Sequence, residues 1–149
     1  MKLYHATYTR NIPSIIANGL RPCRKHNWNG YYLEGKVFLA FDPAVAEDYL
    51  TASETYDGDP ISIFEIDSND IDIDRIKYDW NNRCEIEADI NSVAYEGIIR
   101  TFRIMQEEDL MAITQPVQFE DLEHEDADAQ RIFWILADVF DEQVESKVE

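Results

Sequence analysis

The spacing of apolar and polar residues changes several times along the chain, and each change marks an element. Residues 2–6, KLYHA, read as a short strand. NIPSIIANGL follows with a helix pattern: Asn11 can cap it, Pro13 suits the first turn, and Gly19 sits where a helix stops. Residues 21–36 are polar and aromatic without a period, which predicts a loop. VFLAF (37–41) is a continuous apolar run, as in a buried strand. Asp42-Pro43 then opens a helix to about Leu50. ISIFEI (61–66) alternates and predicts a further strand.

The second half is more acidic. DSNDIDIDRIKYDW reads as an acidic connection with one extended piece. Asn81 or Asn82 can cap a helix whose face carries Ile86, Ile90 and Val93. EGIIRTFRI (96–104) and LMAI (110–113) read as strands, the latter closed by Pro116. Phe119 to about Val144 predicts a long amphipathic helix with Ile132, Phe133, Leu136, Val139 and Phe140 as its apolar stripe. Strands and helices mix without βαβ regularity, so the expected class is α+β. A single domain over 1–149 is expected, a core of residues 1–119 followed by an acidic helix over 120–149.

Composition narrows the possibilities. The 149 residues are 45% apolar and 12% aromatic, enough for a sizeable core. The formal charge of -18 argues against binding the phosphate backbone of nucleic acid directly. No apolar run is long enough for a bilayer, and MKLYHATYTR lacks the apolar segment of a signal peptide. Scarce cysteines, Cys23 and Cys84, fit a reducing cytoplasm and leave room for one bridge at most. The charge is uneven. Residues 1–36 hold six bases and one acid; residues 107–149 hold fourteen acids and two bases. On charge alone, a solvated acidic surface is the favoured explanation. The sharper one is that the basic N-terminal stretch draws a small anionic ligand.

Several chemistries lack their residues. There is no HExxH, CxxC pair, P-loop or GxSxG, and no metal site is expected. His26 and His124 have no partner at metal spacing, and DSNDIDID lacks the glycine and terminal glutamate of a calcium loop.

Three segments in order carry more information: LYHATYTRNIPSIIANGLRP, GKVFLAFDPAVAEDYL and AYEGIIRTFRIMQEEDLMAITQPVQF. Together they resemble the ADP-ribosyltransferase family of diphtheria-type toxins and poly(ADP-ribose) polymerases. In that family a first strand carries His, a small residue and Ser or Thr. A second strand after Gly carries an aromatic, a tyrosine follows on a helix, and a late strand opens with an acid. The matching residues are His5-Ala6-Thr7; Gly35, Phe38 and Tyr49; and Glu107-Glu108-Asp109 ahead of Pro116-Val117-Gln118-Phe119. Ala6 replaces the usual glycine and Phe38 the first tyrosine. Counting back from Pro116 lands on Leu110, so Asp109 needs a one-residue bulge and Glu108 two.

The resemblance implies a split β-sandwich with flanking helices that uses NAD. Cleaving NAD at the nicotinamide bond develops positive charge on the ribose, which a shielded carboxylate stabilises. Asp109 is the preferred carboxylate and Glu108 the second. Glu85 or Glu87, an E-x-E like that of arginine-directed members, remains open. Phe38 and Tyr49 would sandwich the nicotinamide, the Ala6 backbone would hold its carboxamide, and Thr7 would add a hydroxyl. His5 would bond a ribose hydroxyl; Arg10 and Arg21 are candidates for the pyrophosphate.

The expected function is therefore transfer of ADP-ribose to a macromolecule, a protein rather than nucleic acid. The charge suits a basic target such as a nucleic-acid-binding complex. Size and acidity resemble small phage members of the family that act as anti-CRISPR inhibitors of a host defence complex. The alternatives are an NAD glycohydrolase, a 2′-phosphotransferase with only Arg100 and Arg103 to support it, and a non-catalytic acidic binding module.

Overall fold

Two strands drawn from apolar runs, β1 (Lys2–Tyr8) and β2 (Val37–Ala40), lie in the middle of a six-stranded sheet. This arrangement comes from a computed structural model that describes residues 1–22, 35–53, 56–80, 82, 84, 89–113, 121–122 and 126–148, with side chains described as far as Val139. The other strands are β3 (Ile61–Asp67), β4 (Ile76–Tyr78), β5 (Ser92–Tyr95) and β6 (Arg103–Ile104). Their order across the sheet is β4-β5-β2-β1-β3-β6, and every pairing is antiparallel.

Both faces of the sheet are covered. Alternation sends Leu3, Leu39, Phe64, Ile66 and Val93 to one core and Tyr4, Ala6, Phe38, Ala40 and Ile63 to the other. The first core is closed by α1 (Ile12–Asn18) through Ile15 and by a long final helix, α4 (Ala127–Val148), through Ile132 and Leu136. Ala129, Ile132 and Leu136 are fully buried at i, i+3 and i+7, one helical face. The Ser68 hydroxyl donates to Asp128 Oδ2 at 2.5 Å and pins the start of that helix. The second core is closed by α2 (Pro43–Thr51) through Ala46 and Leu50. Asp42 caps α2 as its sequence implies, accepting from the Ala44 N–H at 2.8 Å.

The class is mixed α+β. Among the described residues no helix is long and apolar enough to cross a membrane. Four expectations for the second half are corrected. Of the expected 86/90/93 helix, Ile90 is not helical and Val93 lies in strand β5, where it alternates into the core; Ile86, Glu85 and Glu87 lie outside the described residues. Residues 96–104 form only the two-residue β6, with Ile99 bridging to Leu20. LMAI is not a strand: Leu110 and Met111 end a short helix, α3 (Glu107–Met111), and Pro116 to Phe119 lie outside the described residues. The expected helix from Phe119 is not continuous: Asp121 and Leu122 are helical, Asp126 is not, and the final helix runs from Ala127, with Phe119 outside the described residues.

Candidate functional site

The ladder between β1 and β3 runs over seven pairs, whereas β1 and β2 pair only at Tyr4–Ala40. The bonds Thr9 N–H to Pro60 O and Ser68 N–H to Met1 O turn the odd-numbered backbone groups of β1 toward β3. The even-numbered ones face β2. Beyond Tyr4 the ladder stops, so the N–H and carbonyl of Ala6 point into a split between the two central strands. At that split the Phe38 carbonyl accepts a hydrogen bond from His5 Nδ1 at 2.7 Å. An imidazole thus takes the place that a backbone N–H would have in a continued ladder.

That bond fixes the tautomer, because a carbonyl only accepts. Nδ1 carries the proton and Nε2 is left as an acceptor. Burial holds the His5 pKa below its ordinary value, against the opposing pull of the Phe38 carbonyl. The unfolded chain then protonates more readily than the folded one below about pH 6.5. His5 therefore opposes folding increasingly as pH falls from 6.5 toward its folded pKa. Wild type is expected to lose melting temperature faster between pH 7 and pH 5 than His5→Gln; parallel curves would contradict this assignment.

On the α2 face, the Phe38 ring stacks on Tyr49 with centroids 3.5 Å apart and planes 18° from parallel. The two rings meet directly, with no room between them for a third. Burial, and secondarily the charge of Asp79, pushes the Tyr49 hydroxyl well above the usual tyrosine range. Thr7 is buried, and its hydroxyl accepts from Asn11 Nδ2 at 3.2 Å. Ala6, Phe38 and Tyr49 thus share the α2 face, while His5 and Thr7 leave β1 on the other face and His5 reaches the split through its bond to the Phe38 carbonyl.

The remaining candidates stand elsewhere. Arg10 lies over the Tyr8 ring, 4.1 Å from its centroid, and pairs with Asp57 at 3.1 Å and with Asp59. Arg21 Nε donates to the Asn18 carbonyl at 3.3 Å. Asp109 does not open a strand. It closes a capping box at the start of α3, accepting from the Gln106 N–H and from Arg103, both at 2.8 Å. The Gln106 amide first, then Arg103, hold its carboxyl below the usual carboxylate range. Glu108 is exposed on the same short helix. That helix follows the edge strand β6 and packs through Leu110 on the cluster that holds Phe38 and Tyr49, while the Asp109 carboxylate itself is taken up by Arg103 and the Gln106 amide.

A different carboxylate lies near enough to Tyr49 for its charge to act on the phenol. Asp79 follows β4 and is 2% exposed. It accepts from Ser92 Oγ at 3.3 Å, and Asn82 Nδ2 donates both to Ser92 Oγ at 2.9 Å and to Asn91 Oδ1 at 2.7 Å. The sequence held no signal for it: in Ile76-Lys77-Tyr78-Asp79-Trp80 the acid falls on the polar phase of the alternation, where a solvated carboxylate is ordinary.

Compared with protein-family models, curated proteins and solved structures, the chain matches none.

Proposed function

We propose that the chain is an NAD-dependent ADP-ribosyltransferase that modifies a basic protein target. The observation that carries this reading is the split itself. Where the β1–β2 ladder ends, His5 bonds the Phe38 carbonyl, the Phe38 ring stacks on Tyr49 on the α2 face, and the Ala6 peptide points into the split.

The residues present suit the nicotinamide half of NAD. A carboxamide needs one acceptor and one donor, and the Ala6 carbonyl and N–H supply both. His5 Nε2 accepts from a ribose hydroxyl and, being neutral, adds no charge to repel the pyridinium ring. Because Phe38 and Tyr49 are in contact, the pyridine ring lies against the aromatic pair rather than between its members. In the reaction the C–N bond between ribose and nicotinamide breaks, and its electron pair leaves with the ring nitrogen. The acceptor's lone pair then bonds the ribose carbon, and the acceptor proton goes to solvent. The charge of -18 favours approach to a basic surface, such as that of a nucleic-acid-binding complex. Inhibition of such a host complex by a small phage protein fits this picture.

Incubation with adenylate-labelled NAD and bacterial lysate tests the reading. Labelled protein and free nicotinamide are expected, and His5→Ala and Tyr49→Ala should each reduce both by about a hundredfold. Nicotinamide release without labelled protein would make water the acceptor. Absence of both products overturns the reading.

A further inference from the structure

Two buried carboxylates lie on the α2 face among the described residues, Asp42 and Asp79. Asp42 is accounted for by capping α2. Asp79 is held instead in a polar network through Ser92, which offsets the cost of removing a carboxylate from water. Its position is well defined. Tyr78 pairs with Val93, so the next residue, Asp79, reaches the level of Ser92; Ser92 pairs with Ala40, and Ala40 with Tyr4. This row crosses the sheet directly beside Phe38, on the face that carries Tyr49. Ser92 is 3% exposed and is held in turn by Asn82, so the acceptor geometry at Asp79 is fixed by a buried polar network.

We propose that Asp79 is a positioning carboxylate of the split: held by Ser92, it sets a fixed negative potential beside the Phe38–Tyr49 pair that stabilises the positive charge developing on the nicotinamide ribose. This rests on the NAD-cleavage reading. Asp79 does not contact the dinucleotide. Its charge acts through a low-dielectric wall, where a field is screened far less than in water. Such a field acts on the charge as it appears at the ribose carbon, so it lowers the barrier more than it alters ground-state binding.

Asp79→Asn tests this, since it keeps the size and the acceptor for Ser92 but removes the charge. The expected result is a fall of about a hundredfold in kcat for nicotinamide release, with KM and the dissociation constant for NAD within about twofold. The melting temperature should hold or rise, because a buried charge has been removed. Ser92→Ala, which keeps the charge but loosens it, should lower kcat by about tenfold and serves if the first variant fails to fold. Asp109→Asn should leave kcat within about twofold. Full kcat in a folded Asp79→Asn, in wild-type-like Ser92→Ala where Asp79→Asn does not fold, or a large loss in Asp109→Asn, overturns the proposal. If the wild-type chain releases no nicotinamide, the reading beneath it fails as well. If only His5→Ala and Tyr49→Ala lose activity, that reading stands and Asp79 has no part in it.

Discussion

Replacing Phe64 by alanine is expected to destabilise the fold by roughly 3–5 kcal/mol, read as a lower urea midpoint with an unchanged slope. Phe64 is fully buried on β3, opposite His5 on one side and Ile104 on the other. It also stacks on Phe102, with centroids 4.8 Å apart and planes 21° from parallel. The substitution removes the ring from the middle of the first core and takes away the partner that fastens the short edge strand β6. The backbone on both sides is held by ladders, so the site cannot collapse to fill the hole. Phe102→Ala should cost less, since that ring is only partly buried. The double variant should fall short of the sum, because the two rings share one contact. A cost for Phe64→Ala below about 1.5 kcal/mol would mean that this core relaxes around the gap.

The first half of the chain was legible because local chemistry and burial agree there. Asp42-Pro43 capped α2 as expected, Pro13 and Gly19 bracketed α1, and VFLAF became the buried β2 with Phe41 one residue past its end. The second half was misread where two periods compete. Ile90 and Val93 satisfy a helical spacing, but Ser92 to Tyr95 lie between β2 and β4, and the pairing of Val93 with both Leu39 and Tyr78 outweighs it. LMAI was read by apolar content, whereas Gln106 and Asp109 close a capping box and three acids fill the first turn, a helix start written in polar residues. At the site, His5 and Tyr49 are linked only through Phe38, one by its carbonyl and the other by its ring. Asp109 was expected to open a strand, whereas residues 107–111 are helical and it closes a capping box. The direct stacking of Phe38 on Tyr49 was also out of reach, since it depends on how α2 seats on the sheet.

Gly19→Ala is expected to cost about 2–4 kcal/mol, for two separable reasons. Gly19 ends α1 at φ 81° and ψ 168°, a conformation that a side chain rarely adopts. A Cβ there would also stand 2.8 Å from Ile98 Cγ2 and 3.2 Å from the Ile99 carbonyl oxygen. These two contacts differ in what can yield. Ile98 is 44% exposed, so its side chain can rotate away. The Ile99 oxygen cannot, because the Leu20 N–H donates to it at 2.7 Å and the Ile99 N–H donates back to Leu20 at 2.9 Å. That bridge attaches the end of α1 to the segment following β5, and the chain leaves it toward β2. Adding Ile98→Ala to Gly19→Ala should therefore recover only the side-chain clash and leave at least about 1 kcal/mol of backbone strain. Full recovery in the double variant would show that the positive φ costs nothing. A Gly19→Ala protein as stable as wild type would mean that α1 can end without the turn through Gly19.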